Sequence, residues 1–340
     1  MHIEIKSTWD EKLKFFSQKQ KDIYFCESYL KLVADEESTP VCAICEEENK
    51  LLLLPFLLKK YKEYFDFETP YGYGGPITNT NDNDWIQKAL KALFEYFTSQ
   101  NYIAGFVRFH PLIENADFCR SICRVIDDRK TVIIDTSVSP EEIWQNQINS
   151  KNRNMIRKAE KSGLEFIRDN DFVYLDSFKK LYNGTMSRLE AADFYFFNDD
   201  YYKKFIEVFK GHGFLGCVRK NDEIISAALF MYEKDYGHYH LAGSNRIYSS
   251  LGANNLLLWK VACEMNKEGV KEFHLGGGTD GNEDNSLFKF KRSFSHNMKQ
   301  FSIGKMIFNE KLYQEICKEW EINNPDKVDK YNNLLLKYRY

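Results

Sequence analysis

Two stretches of the chain repeat one order of apolar and polar positions. In the first, "VCAICEEENKLLLLPFLLKK" reads as an apolar strand, a polar turn and a second apolar strand. "YFDFETPYGYGGP" adds a third strand that ends in a glycine-rich turn. "DWIQKALKALFEYFTSQN" then places its apolar residues at helical spacing, and "YIAGFVRFHP" is a strand closed by Pro111. In the second stretch, "FLGCVRKNDEIISAALFMYEKD" is again strand, turn and strand, and "YGHYHLAGSN" is the third strand. "SLGANNLLLWKVACEMNKEG" is the matching helix and "VKEFHLGGG" the closing strand. The first turns centre on Asn49 and Asn221, 172 positions apart. Each half predicts an antiparallel three-strand meander, then a strand–helix–strand step that sets the last strand parallel to the third. The expected fold class is α+β: two tandem units, each a mixed sheet with helices packed on it, with residues 39–111 and 213–278 as copies. The expected boundaries are 1–145, 146–310 and a helical tail over 311–340.

Between the halves, "SPEEIWQNQINSKNRNMIRKAEKSG" predicts one helix, with Ser139 as N-cap, Pro140 in its first turn and Gly163 as its stop. "LEFIRD" predicts a short strand, and two further helices follow it. The tail is helical with a break at Pro325.

Composition narrows the classes. The 340 residues suit about two domains, and 43% hydrophobic content supports real cores. Lys and Arg number 47 against 50 acids, for a net charge of −3, so no global electrostatic footprint for nucleic acid exists and no DNA partner is expected. The N-terminus lacks an apolar signal core, and the longest apolar run, "LLLLPFLL", is far too short for a bilayer. A cytoplasmic protein without an integral membrane segment is therefore expected. Cys42 and Cys45 form a C-x-x-C, and Cys119 and Cys123 a C-x₃-C. "VCAIC" reads as a strand, which points positions i and i+3 to opposite faces, so reduced thiols and no metal are expected.

Residues 273–294 read "FHLGGGTDGNEDNSLFKFKRSF". Gly276, Gly278 and Gly281 fit a dinucleotide loop, but Glu283 and Asp284 would face the phosphates. Asp280, Asn282 and Asp284 have calcium-loop spacing, but the turn glycine is replaced by Asn285 and the bidentate glutamate by Lys291. What remains is a strand, an acidic loop over Gly281–Asn285 expected to be exposed and mobile and merely to turn the chain, and a short basic helix.

The strand–turn–strand, strand, helix, strand order is that of GNAT acyltransferases. Two such units, with "NRNMIRKAEKSG" opening the second, "PYGYGGP" in the first and "LGGG…LFKFKRSF" near the end, resemble the FemAB-related transferases. These are tandem-GNAT enzymes that add amino acids to peptidoglycan precursors, together with acetyltransferase-like relatives. The resemblance covers about residues 20–310, and "FKRSF" after the glycine strand is its most specific piece. It implies transfer of an acyl group to an amine on a sugar, nucleotide-sugar or peptide precursor of cell-envelope polymers. The expected substrate is thus a small or nucleotide-linked molecule. No permanently bound cofactor is implied.

The long helical hairpin of many tRNA-dependent members is missing, so acyl-CoA is preferred as co-substrate over aminoacyl-tRNA. The acyl-CoA loop R/Q-x-x-G-x-G/A corresponds to "YSSLGA", with Leu251 at the first glycine. The amides of Gly252, Ala253 and Asn254 are expected to hold the donor. By the same resemblance, Lys291 and Tyr71 are the catalytic candidates. Tyr73, Arg188, Tyr195 and the glycines 276, 277 and 278 are the substrate-binding ones; Arg153 and Arg157, four apart on one helical face, are read from that spacing as either a phosphate patch that also binds substrate or a solvated basic face. The glycines are expected to leave space for the acyl group. An aminoacyl-tRNA-dependent enzyme and an inactive binding protein with this fold are the other two readings.

Overall fold

The computed structural model describes residues 1–340. Its strands are β1 (His2–Lys6), β2 (Ser38–Glu47), β3 (Lys50–Tyr61), β4 (Tyr64–Glu68), β5 (Ile77–Thr78), β6 (Tyr102–Arg108), β7 (Arg124–Asp135), β8 (Leu164–Asp169), β9 (Gly213–Lys220), β10 (Glu223–Glu233), β11 (Tyr236–Ser244), β12 (Glu272–Gly276) and β13 (Met298–Ile307). The main helices are α1 (Glu27–Val33), α2 (Asn83–Ser99), α3 (Ser150–Lys161), α4 (Leu175–Arg188), α5 (Asp199–Val208), α6 (Ala253–Lys267), α7 (Ser286–Arg292) and α8 (Glu310–Asn323). No helix is long and apolar enough to cross a membrane.

The chain forms two compact units, residues 1–128 with 300–340, and residues 129–299. The expected boundaries at 145 and 310 are therefore displaced, and the reason is a strand exchange. The first unit pairs β1-β2-β3-β4-β6-β13, with β5 on β3. The second pairs β8-β9-β10-β11-β12-β7. β7 follows β6 in the chain yet pairs with β12, while β13 follows β12 yet pairs with β6, both antiparallel. Tandem patterning alone cannot reveal this, because an exchanged strand keeps the same hydrophobic alternation.

The two units repeat in detail. β4 runs parallel to β6 and β11 parallel to β12, as the strand–helix–strand reading requires. The hairpin turns begin on left-handed residues, Glu48 and Asn221 in one pair and Lys62 and Lys234 in the other. The helix-to-strand turn uses Asn101 in one unit and Gly269 in the other.

In the first unit α2 buries Leu90, Leu93 and Phe97 against Leu54, Phe56 and Phe67. Trp9, Phe25 and Leu30 cover the other face through Cys42, Ile44 and Leu53. Cys42 and Cys45 accordingly lie in separate cores, as strand alternation dictates. The residues after 310 are not a separate tail. Ile316, Trp320, Leu335 and Tyr338 pack on Ile103 and Ala104. Arg339 and Tyr338 both bond Asp66, a fully buried carboxylate on β4.

In the second unit α6 and α3 share one core, with Leu257, Val261 and Ile156 against Val218, Phe230 and Phe273. α5 lies on the other face, where Phe205 stacks on His240. α4 presses so closely on β11 that a Cβ at Gly243 would meet the backbone of Leu181 and Tyr182.

The single helix expected over 139–163 is two pieces. Ser139 caps a first turn through a capping box with Glu142. A wide turn over Ile143–Gln147 then ends at Ile148, and Asn149 caps α3 by accepting from Asn152 N.

Candidate functional site

β11 and β12 pair only over Tyr236–His238 and Glu272–His274. β11 continues to Ser244 and β12 to Gly276, so the two parallel strands part beyond His238. A sheet that opens between parallel strands at their C-terminal ends leaves a crevice for a ligand. Lys291 lies at this opening. Its Nζ donates to the carbonyl of Gly277 at 2.7 Å and sits 5.7 Å from the centre of the Tyr239 ring. It thus lies over the first residue of β11 that has no partner on β12 and bonds the chain just past β12. The side chain is only 8% exposed. Burial, reinforced by the Arg129 cation, lowers its pKa from 10.5 to about 7. Near neutral pH this amine is therefore partly uncharged. Burial also pushes the Tyr239 phenol well up, so it stays neutral.

α7 carries Lys291 and is capped by Asn285, whose Oδ1 accepts from Leu287 N and Phe288 N. Gly276 ends β12 in a left-handed conformation. Gly277 and Gly278 have a different reason from the one expected. A Cβ at 277 would lie 2.8 Å from Lys130 O, and one at 278 would lie 2.7 Å from Asn285 Oδ1. They give way to the protein's own strand β7 and to the α7 cap. The acidic loop is exposed and tied down by two ion pairs, Lys130–Glu283 at 3.1 Å and Lys289–Asp284 at 2.7 Å.

α6 opens from the same end of β11. Asn254 in its first turn accepts from Ser226 Oγ and donates to Ser244 Oγ, the last residue of β11. Its side chain is thereby committed to structure. Gly252, the N-cap, is left-handed, offers no side-chain cap, and has no acid in the turn beyond it. The first helical bond is Leu256 N to Gly252 O, so the amides of Ala253, Asn254 and Asn255 precede the helical ladder. Asn152 on α3 is 2% exposed; it accepts from Asn255 at 2.7 Å and its Nδ2 has no partner. The corresponding helix of the first unit differs. α2 is capped by the Asp82 carboxylate, which accepts from Trp85 N, and Asp84 follows. A carboxylate thus already occupies that end of α2, whereas the end of α6 carries none. The first unit also keeps its parallel strands together beyond β4, through Thr69 N to Phe106 O and Arg108 N to Thr69 Oγ1.

Tyr71 and Tyr73 belong to the first unit. Both rings are half-buried, and the Tyr71 carbonyl accepts from Tyr29 Oη at 2.7 Å. Tyr73 packs edge-on against Tyr24 and His110. Gly72, with φ of +97°, lies against the Tyr24 ring, where a Cβ would come within 2.4 Å. Arg188 is exposed at the end of α4, reaching only Gly184 O at 3.5 Å and Thr185 Oγ1 at 3.4 Å. Tyr195 is 39% exposed. Arg153 does not join Arg157 in a phosphate patch: its Nη1 donates to the carbonyls of Trp144, Gln145 and Ile148 and closes the turn before α3. Arg157 is exposed and lies over the Trp144 ring.

Three structural partners have no signal in the sequence. Arg129 donates to Gly278 O at 3.0 Å. Asn115, fully buried, donates to Gly74 O and Pro76 O and accepts from His110 N, clamping the "PYGYGGP" turn. His110 receives Ile113 N on Nδ1, so its Nε2 donates to buried Asp22 at 2.8 Å. Each arises where distant segments meet.

Residues 148–292 match the family described as acetyltransferase (GNAT) domain. The fold is similar to that of FemX, with a TM-score of 0.72 at 16% identity, covering 93% of this chain and 100% of that one. The C-terminal domain of a putative lysylphosphatidylglycerol synthetase from Agrobacterium fabrum gives a TM-score of 0.54 at 13% identity, covering 89% of this chain and 94% of that one. A tandem GNAT protein from the clavulanic acid biosynthesis pathway gives 0.54 at 7% identity, covering 91% and 99%. No curated protein sequence matches the chain.

Proposed function

We propose that this chain, a tandem GNAT acyltransferase with the FemAB-related fold, transfers an acyl group from acyl-CoA to an amine of a cell-envelope precursor. The observation that carries the reading is the buried Lys291 amine where β11 and β12 part, with the uncapped, acid-free N-terminus of α6 following the end of β11 in the same unit. The donor's pyrophosphate would meet the amides of Ala253, Asn254 and Asn255, with Asn152 behind them. Its thioester would enter the strand opening.

Neutral Lys291 takes a proton from the acceptor's ammonium, which frees the nitrogen lone pair. The nitrogen attacks the thioester carbonyl, a C–N bond forms, and the carbonyl electrons move onto oxygen. Lys291, now an ammonium, faces that oxyanion as it develops. Collapse breaks the C–S bond. Lys291 returns its proton to the departing thiolate, and the second amine proton leaves to solvent. One group with a pKa near 7 thus serves as base, electrostatic partner and acid in turn.

Tyr71 and Tyr73, on the clamped turn, are the proposed acceptor contacts, with Arg188 and Tyr195 as further ones. FemX-like architecture and the exposed cations of α3, Lys151, Arg157, Lys158 and Lys161, favour a second reading in which aminoacyl-tRNA is the donor. Native mass spectrometry of the purified protein, followed by thiol-release assays with acetyl-CoA and a panel of amino sugars and peptide amines, tests the first reading. Co-purifying CoA, thermal protection by CoA and acceptor-dependent thiol release are expected. Protection by charged tRNA with none by CoA would overturn the donor assignment in favour of the second reading.

A further inference from the structure

Arg129 lies on β7, the exchanged strand that borders β12. Its stem runs along Gly277, where a Cβ would come within 3.1 Å of Arg129 Cδ. Its Nη1 donates to Gly278 O at 3.0 Å, while Lys291 Nζ donates to Gly277 O at 2.7 Å. Two cationic side chains from separate elements therefore grip consecutive carbonyls of one turn. Like charges brought together in a buried place oppose each other's protonation, and the one that can release a proton does so. A guanidinium cannot, so the lysine responds.

We propose that Arg129 is a positioning residue for Lys291: it fixes the loop carbonyl beside the one that receives the lysine and, as the second cation of the pair, sets the pH at which Lys291 exchanges its proton. The inference rests on the catalytic reading of Lys291 given above. Other charged groups also face the turn or neighbour it in the chain. Lys130 is paired with Glu283, Lys289 with Asp284, and Tyr239 is a neutral phenol. Asp128 precedes Arg129, Asp280 lies in the loop and Arg292 follows Lys291 in the chain, while His238 and His274 form the last strand pair before the opening. After burial, the Arg129 cation is what lowers the proton affinity of the Lys291 amine.

The full chain labelled with ¹³C at lysine Cε reports the Lys291 titration directly, the resonance being identified by its loss in Lys291→Met. In Arg129→Gln the Lys291 midpoint should rise by about one pH unit, the usual scale for removing one nearby like charge. In Arg129→Lys, which keeps the cation, it should stay near the native value. The acid limb of the kcat/KM–pH profile should move upward with it in Arg129→Gln and stay in Arg129→Lys, a split that loss of packing alone would not produce. Should Arg129→Gln fail to fold, Arg129→Met, which keeps the stem along Gly277, carries the same readout. A Lys291 midpoint unchanged by loss of the guanidinium overturns the inference. If no donor and acceptor support turnover at all, the functional reading fails, while the resonance still decides whether Arg129 controls Lys291.

Discussion

Replacing Lys291 with Met should make the second unit more stable and less active, and the stability gain should vanish at high pH. The side chain is 8% exposed, and its amine gives up a proton near pH 7 instead of 10.5. Between those values the unfolded chain binds the proton and the folded chain does not. Stability therefore rises with pH from about 7 and levels off near 10.5. Below pH 7 the full cost applies: 3.5 units at about 1.4 kcal/mol each is about 5 kcal/mol. The same linkage gives about 4 kcal/mol at pH 7, about 3 at pH 8.5, and under about 1 at pH 10.5.

Met keeps most of the stem but loses the bond to Gly277 O, a loss of about 1–2 kcal/mol at any pH. The variant should thus be about 2–3 kcal/mol more stable at pH 7 and no more stable than the parent at pH 10.5. For a unit of this size each kcal/mol moves Tm by about 2–4 °C. Melting both proteins at pH 7, 8.5 and 10 and following the difference cancels all other titrations. A difference that stays constant across this range would show that Lys291 is not held uncharged, and the proton-transfer role would fall with it.

The same substitution should lower kcat by about 10²–10³; a rise in KM alone would make the lysine an acceptor-binding group instead. Asn285→Ala removes the cap that accepts from Leu287 N and Phe288 N, and should cost about 1 kcal/mol and lower kcat while CoA affinity stays, as equilibrium binding would show. His240, half-buried against Phe205 and hydrogen-bonded to Tyr201, has its pKa lowered from 6.5 to about 3, chiefly by desolvation. Its folded form binds fewer protons in that window, so the second unit should lose stability as pH falls from about 6.5 toward 3, by up to about 5 kcal/mol. Acid denaturation of His240→Phe should lack that slope. Deleting Lys337–Tyr340 takes Arg339 and Tyr338 from Asp66 and leaves a buried unpaired carboxylate, so the first unit should lose about 3–5 kcal/mol in urea unfolding. Less than about 1 kcal/mol would mean that Asp66 reaches water without them.

The sequence by itself determined the repeated elements, because strand alternation, helical spacing and turn residues are local. "VCAICEEENKLLLLPFLL" and "FLGCVRKNDEIISAALFMY" each specify a hairpin wherever they sit, whereas Lys291 was a candidate only through the family resemblance of the glycine strand with "FKRSF". Only the tertiary structure decided which sheet takes β7 and which takes β13, since an exchanged strand is as apolar as one that stays at home. It also decided the state of Lys291. Nothing in "FKFKRSF" distinguishes the buried lysine from Lys289, which is exposed and paired with Asp284. Arg153 and Arg157 look equivalent on one helical face, yet one closes three carbonyls and the other is exposed, because a turn of backbone happens to end beneath the first. Gly277 and Gly278 were legible as places of close approach, but what approaches them is strand β7 and the Asn285 cap. Burial and charge proximity are sums over groups far apart in the chain, and so the chemistry of the site, unlike its address, becomes visible only once the chain has folded.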